Sequence, residues 1–321
     1  MNIAPVFSIL GVLLTILSFT MLIPMLVDMI SGSQNWLAFA SASLISCFIG
    51  ISLWLTNRSE QELNLGLKEA FLLTNFAWVL SGIFGALPFV FSDLGLSFTD
   101  AIFESISGIT TTGSTILINI ELASPGIILW RALLQWLGGI GIIVMALAIL
   151  PTLSVGGMQL FKTETYEASD NAIPRARQLA GGIFAVYATL TFIWSCMLWI
   201  AGMTSFDALI HSMTTLATGG YSSKTSSIAA FDSIAIEIII ISGMLAGSLP
   251  FAHYLAITRG GWRALINDPQ VRWFLVLTIF VVMLITIDLS RAGNGWLYAI
   301  RLASFNTVSV ITGTGYGTAN F

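Results

Sequence analysis

Thr110-Thr111-Thr112-Gly113-Ser114, Ala217-Thr218-Gly219-Gly220-Tyr221 and Thr312-Gly313-Thr314-Gly315-Tyr316 are three versions of one short phrase. Each closes a short apolar segment, and each lies between long hydrophobic runs or after one. A Thr/Gly strand at the end of a half-buried helix is what a cation selectivity filter needs. Glycine lets the backbone turn its carbonyl oxygens toward a pore axis, where they replace an ion's water shell. A filter is a ring of such strands, so repetition carries more weight than any single copy. The plainer alternative is that Thr/Gly pairs end helices at a membrane surface. It suits one copy and is weak for three at equal offset.

The surroundings of the three phrases agree with a membrane setting. The chain of 321 residues is 56% hydrophobic and only 9% charged, with a mean hydropathy of +0.90. A soluble domain carries roughly a quarter charged residues, so this is an integral membrane protein. The net charge of −4 is small, and no basic block points to nucleic acid. Cys47 and Cys196 lie inside apolar runs and read as buried thiols. The first apolar run, Ile3 to Met29, has no Lys or Arg before it and is long enough to span, which argues against a cleaved signal peptide.

Seven stretches are long enough to cross a bilayer: about 3–29, 36–56, 70–91, 126–150, 180–202, 232–257 and 273–290. Three shorter segments, about 99–110, 207–217 and 296–311, each run into a Thr/Gly strand and read as re-entrant pore helices. With the N-terminus inside, the cytoplasmic segments hold Arg58, Lys68, Lys162, Arg175, Arg177, Arg259, Arg263 and Arg272. That is eight of the twelve basic residues, a positive-inside bias that puts all three strands on the outer side.

Phe103-Glu104-Ser105, Ile210-His211-Ser212 and Phe305-Asn306-Thr307 stand at equal offsets before Gly113, Gly220 and Gly315. The expected fold is therefore an all-α polytopic membrane protein. It repeats a unit of helix, re-entrant pore loop and helix in a pseudo-four-fold arrangement. Residues 1–60 form an extra N-terminal helix pair, 61–156 the first pore repeat and 157–179 a cytoplasmic connector. Residues 180–258 form the second repeat and 259–321 a partial third. Three strands do not close a four-fold ring, so the chain reads as truncated, without the second helix of repeat three and without repeat four.

The three strands, with Trp136-Leu137-Gly138-Gly139-Ile140-Gly141-Ile142 and the run to Ala148-Ile149-Leu150-Pro151, resemble the TrkH-type potassium uptake subunits of the Trk/Ktr/HKT superfamily. The resemblance covers the whole chain. It implies potassium uptake across a bacterial inner membrane, with the N-terminus cytoplasmic. It also implies a TrkA-type cytosolic nucleotide-binding partner and a homodimer. Members carry four repeats with one filter glycine in each. In plant relatives, serine at the first filter-glycine position goes with sodium selectivity, so Gly113 implies potassium. Beyond membrane lipid, no nucleic acid and no cofactor is expected. Potassium is the transported ligand rather than a resident metal.

The expected ion-binding residues are Thr110, Thr111, Thr112 and Gly113, then Ala217, Thr218, Gly219 and Gly220, then Thr312, Gly313, Thr314 and Gly315. Glu104, His211 and Asn306 read as support behind the filter, with a proton relay through His211 as the sharper alternative. Asp100 and Asp207 read as N-caps of the first two pore helices. Arg301, near a cation entrance, is expected to pair with a carboxylate outside this chain. His253 has no identifiable partner. Gly138, Gly139 and Gly141, and the Gly243/Gly247 pair, read as close helix packing rather than a nucleotide loop. The polar connector from Gly156 to Gln178 could dock a regulator or be a solvated loop. Neither inverted repeats nor a catalytic pair within the spans is present in the sequence. An organic-substrate carrier and an enzyme are therefore disfavoured. Transport of sodium or ammonium through the same repeats stays open.

Overall fold

A computed structural model describes residues 3–58, 66–153, 172–258, 260–261 and 263–319. Among them all regular structure is helical. In chain order the helices are α1 (Ala4–Thr20), α2 (Leu22–Ser31), α3 (Trp36–Asn57), α4 (Leu67–Phe91), α5 (Phe98–Ile109), α6 (Pro125–Leu153) and α7 (Ala172–Ile200). Then come α8 (Ser205–Leu216), α9 (Ile234–Ser248), α10 (Phe251–Thr258), α11 (Arg263–Asn267), α12 (Pro269–Arg291) and α13 (Trp296–Ile311). Short 3-10 turns at Ile120–Leu122 and Ser227–Phe231 follow the first two Thr/Gly strands. Most of the polar connector, residues 154–171, lies outside the described residues.

Among the described residues, five helical segments are long and apolar enough to cross a membrane: Ala4–Ser31, Trp36–Asn57, Lys68–Phe91, Leu179–Ile200 and Pro269–Arg291. Helix α6, at 29 residues, also exceeds the length needed. Two of the seven stretches expected to be single helices are interrupted. The first divides at Met21 into α1 and α2. The stretch 232–257 is broken more sharply: α9 and α10 meet at 94°. Pro250 is the physical reason, because proline cannot continue the helix and the residue before it is pushed toward extended backbone. Leu249 accordingly has ψ 150°. At 1.5 Å per residue, the 15 residues of α9 cover about 22 Å of a hydrocarbon core about 30 Å thick.

The chain divides into two compact units, 1–110 with 114–177 and 111–113 with 178–321. In the first, α1 packs on α3 and α4 while α5 lies against α4 and α6. The α1–α3 contact is a glycine crossing: a Cβ on Gly11 would stand 2.6 Å from the Gly50 carbonyl oxygen, and one on Gly50 2.8 Å from that of Gly11. Small residues let the two backbones approach this closely. The buried Asp28 carboxylate at the end of α2 accepts from the Gly126 amide (2.7 Å) and the Ser124 hydroxyl (2.9 Å). It satisfies the free donors at the start of α6 from 98 residues away.

In the second unit α9 sits against both α8 and α13. The shared core includes Met203, Ala208, Ile240, Met244, Phe305 and Val308. One span thus serves two pore helices. At the broken end of α9, Ser248 donates to the Met244 carbonyl and Tyr254 to that of Ala246, each at 2.8 Å. His253 is not solitary. Its Nε2 lies 2.6 Å from an Asp268 carboxylate oxygen, joining α10 to the residue that caps α12.

Candidate functional site

The three short segments are helices with nearly the expected bounds: α5, α8 and α13. The starts of the first two differ from expectation. The caps of α5 and α8 are Ser97 and Thr204, whose hydroxyls accept from the amides of Asp100 (3.2 Å) and Asp207 (3.0 Å). The two aspartates stand three residues on. There each accepts its cap's hydroxyl and places negative charge against the helix's positive end. A hydroxyl at Ncap followed three residues later by a carboxylate is a capping box, a signal the sequence already carries.

Their ends are built alike. Thr110, Ala217 and Thr312 close the helices with φ of −83°, −71° and −78°. The next residue is left-handed in every case: Thr111 at +55°, Thr218 at +52° and Gly313 at +75°. Two residues later comes a second left-handed position: Gly113 at +80°, Gly220 at +75° and Gly315 at +83°. In α8 the first of these turns is a helix C-cap, with Thr218 N donating to Thr215 O and Gly219 N to Thr214 O. The second belongs to the strand itself and reverses the peptide plane again. A β-branched residue with positive φ is strained, and Thr111 and Thr218 bear that strain at matched places. The hydroxyls of Thr110 and Thr312 fold back on their own helices, to Ile106 O (2.7 Å) and Val308 O (2.8 Å).

Behind each strand one pore-helix side chain reaches across to a hydroxyl beyond the filter glycine. Glu104 accepts from Thr115 Oγ1 (2.9 Å) and from the Ile116 amide (3.1 Å). His211 Nε2 lies 2.9 Å from Ser222 Oγ, and Asn306 donates to Thr318 Oγ1 at 3.1 Å. The Nδ1 of His211 faces the Asp207 carbonyl at 2.8 Å. A carbonyl only accepts, so Nδ1 carries the hydrogen and Nε2 of the neutral ring accepts from Ser222. A second tie repeats as well: Ser107 donates to Ser114 O (2.6 Å) and Ser309 to Tyr316 O (2.7 Å).

The following span also leaves room for the pore helix. In α6 a Cβ on Gly138 would fall 1.8 Å from the carbonyl oxygen of Ile109, the last residue of α5. In α9 one on Gly247 would fall 2.6 Å from that of Leu216, the last residue of α8. Gly243 lies against Trp194 and Thr215. Gly138, Gly243 and Gly247 do serve close packing, whereas Gly141, expected to do the same, faces open space within 4 Å. Between strands, Gly220 lets the Thr314 carbonyl approach so closely that a Cβ would stand 1.8 Å from its oxygen.

Two ion pairs that sequence reading did not assign stand at the pore helices. Arg131 of α6 reaches Glu104 at 2.7 Å, with both side chains buried. Arg301 of α13 meets both oxygens of Glu237 at 2.8 Å, and Asp232 at 3.5 Å. Its partners therefore lie within this chain, Glu237 on α9 and Asp232 two residues before that helix. The signal for both was present: ionisable residues inside apolar segments pair with one another. What sequence lacked was the pairing across 27 and 64 residues. Tyr316, Thr214 and Ser309 were also passed over, because buried hydroxyls have no charge to draw attention. Thr111–Gly113, Ala217–Gly220 and Thr312–Gly315 all fall within the second compact unit.

The TrkH family model, described as a cation transport protein, matches residues 36–310. The Trk system potassium uptake protein TrkI of Halomonas elongata is 39% identical over 322 residues, covering 99% of this chain and 65% of that protein. The Trk system potassium uptake protein TrkH of Escherichia coli K12 is 38% identical over 324 residues, with 99% and 67% covered. The crystal structure of the potassium transporter TrkH from Vibrio parahaemolyticus superposes with a TM-score of 0.90 at 32% identity, covering 99% of this chain and 66% of that one. The chain thus spans about two thirds of the length of these relatives.

Proposed function

The chain belongs to the TrkH family of cation transport proteins, and from that premise we propose that it conducts potassium inward through a ring of Thr/Gly backbone carbonyls. The observation that carries this reading is the identical backbone sequence of the three strands, each left-handed at the filter glycine and two residues before it. Successive reversals of the peptide plane allow neighbouring carbonyls to face one axis, which is what coordination of a dehydrated cation demands. Each pore helix ends at its strand, so the partly negative C-terminal end favours a cation there. The buried charge of Glu104 is neutralised by Arg131, and His211 and Asn306 add none. Selectivity then rests on carbonyl dipoles rather than on a ring of carboxylates.

In this reading the strands face outward and the N-terminus lies in the cytoplasm, as the Lys and Arg distribution indicates. Units of helix, pore helix, strand and helix surround a pseudo-four-fold axis, to which these residues bring three strands. A cytosolic nucleotide-binding regulator and a second copy of the chain are the partners proposed. Affinity capture from cytosol and crosslinking in membranes test them.

The decisive experiment expresses the complete gene in a bacterium deficient in potassium uptake and titrates potassium, sodium and ammonium. Rescue at low potassium is expected, with Gly113→Ser shifting preference toward sodium. Rescue by ammonium or sodium alone would assign the pore to those ions. Absence of any rescue, or a Gly113→Ser variant with unaltered preference, overturns the filter assignment.

A further inference from the structure

A side chain at the end of the third strand reaches the pore helix of the second repeat. Tyr316 directly follows Gly315 and is 2% exposed. Its hydroxyl reaches away from its own repeat to the last turns of α8. There it meets Thr214 Oγ1 at 2.5 Å, Thr215 Oγ1 at 3.3 Å and the His211 carbonyl at 3.4 Å. Thr214 donates its own hydrogen to Ile210 O (3.0 Å), so the tyrosine donates to Thr214 and accepts from Thr215. The single phenol hydrogen is then used on Thr214, and the His211 carbonyl at 3.4 Å is a neighbouring acceptor rather than a second bond.

The backbone of the same residue is tied the other way. Tyr316 O accepts from Ser309 Oγ of α13, its own pore helix. One residue is therefore anchored to two pore helices, by its carbonyl to α13 and by its phenol to α8. Two residues before it, the Thr314 carbonyl closes on Gly220 with no side chain between. A contact that close has to be held from both sides. The bare glycine sets the inner limit and the tyrosine prevents the strands from parting. His211, whose ring centroid lies 6.0 Å from that of Tyr316, is itself bonded to Ser222 just beyond Gly220. The brace therefore reaches both strands. Tyr221 stands at the matched position of the second strand and is equally buried, whereas the first strand has Ser114 there.

We propose that the Tyr316 hydroxyl, bonded to Thr214 and Thr215 of the neighbouring pore helix, is the strut that sets the spacing of the second and third filter strands and hence which alkali cation the site accepts. The proposal rests on the filter reading above. A carbonyl site discriminates by how many oxygens it brings to an ion and at what distance. Tyr316 is a positioning residue that acts through Gly315 and Gly220.

The test uses the protein expressed from its complete gene and reconstituted in vesicles, with rubidium-86 influx competed by potassium and by sodium. Tyr316→Phe keeps the ring and removes only the hydroxyl. Its potassium-over-sodium preference should fall roughly five- to tenfold, the equivalent of one hydrogen bond. Thr214→Val should shift the ratio likewise, Thr214→Ser should restore it, and the Tyr316→Phe/Thr214→Val double variant should shift it no further. Ser43→Ala removes a buried hydroxyl bonded to Ser18 O in the first unit and should lower thermal stability without moving the ratio. If Tyr316→Phe fails to fold, the Thr214 pair alone decides. A wild-type ratio in Tyr316→Phe or Thr214→Val, or an equal shift in Ser43→Ala, overturns the strut while leaving the pore intact. A wild-type protein that passes no cation overturns the filter reading itself.

Discussion

The glycines that face the ends of the pore helices make a graded prediction possible. Ordinary contact begins at 3.4 Å, and a Cβ at position 138 would stand 1.8 Å from the Ile109 carbonyl oxygen. The difference, 3.4 − 1.8 = 1.6 Å, is the distance by which α5 and α6 must part if Gly138 becomes alanine. For Gly247 the corresponding figure is 3.4 − 2.6 = 0.8 Å. For Gly141, on the same helix as Gly138, an added Cβ meets nothing within 4 Å. Alanine is better than glycine within a helix by about 1 kcal/mol, so Gly141→Ala should be neutral or stabilising by up to that amount. In Gly138→Ala the obstacle is backbone, which has no rotamer to yield. Overpacking of this kind costs about 1–3 kcal/mol, leaving a net loss of up to about 2 kcal/mol once the helix gain is subtracted. The displaced carbonyl is the last before Thr110, so the strand moves with it. Thermal unfolding of detergent-purified variants and potassium-dependent growth should rank wild type and Gly141→Ala above Gly247→Ala, and Gly247→Ala above Gly138→Ala. A Gly138→Ala protein that matches Gly141→Ala in both assays would refute the argument.

Glu104→Gln removes the carboxylate charge that Arg131 meets at 2.7 Å with both side chains buried, and breaking a buried pair from one side costs about 3–5 kcal/mol; the yield of folded protein should collapse, and recover in part when Arg131→Met is added. His211→Gln should retain folding and leave the pH dependence of transport unchanged, because the ring's two nitrogens are already committed to Asp207 O and Ser222; a lost pH response at normal expression would instead assign a proton relay. Partial burial pushes the Asp268 carboxyl up, but hydrogen bonds from His253 and the Gln270 amide, with the attraction of His253, hold it below 3.8 overall. A depressed carboxyl stabilises the fold fully above its unfolded value and loses that contribution as pH falls through the folded one. Asp268→Asn should therefore flatten the stability of the protein against pH below about 4, measured by thermal shift, and leave the profile near neutrality parallel to wild type.

The parts of this molecule legible in sequence were those that repeat locally. The third pore helix was expected at 296–311 and is Trp296–Ile311, because a short apolar run ending in Gly313 signals its own end. The equal offsets of Glu104, His211 and Asn306 foretold a shared position, and all three reach a hydroxyl beyond the strand. Arg301 shows why the rest was hidden. Its partner Glu237 is 64 residues away, and only the packing of α9 against α13 brings the two together. His253 and Asp268 are joined by a turn after a 94° bend. An unbroken span over 232–257 would have carried His253 away from Asp268. Pro250 was the readable warning, overridden by the length of the hydrophobic run around it. Asp100 and Asp207 begin the apolar segments in sequence and so read as their caps. The hydroxyls three places earlier have the geometry for that role.

The left-handed positions of the strands separate two reasons for a glycine. At Gly220 a side chain is barred twice, by chirality and by the Thr314 carbonyl. At Gly313 an added Cβ would meet open space, and the only obstacle is the handedness of an L-residue at φ +75°. That obstacle costs about 1–2 kcal/mol, and Thr111 and Thr218 already carry it at the same place. By local geometry, Gly313 and the two threonines are thus interchangeable. Gly220 has no such latitude. Two glycines that look alike in a repeated motif are held by different constraints, and a substitution tolerated at one says nothing about the other.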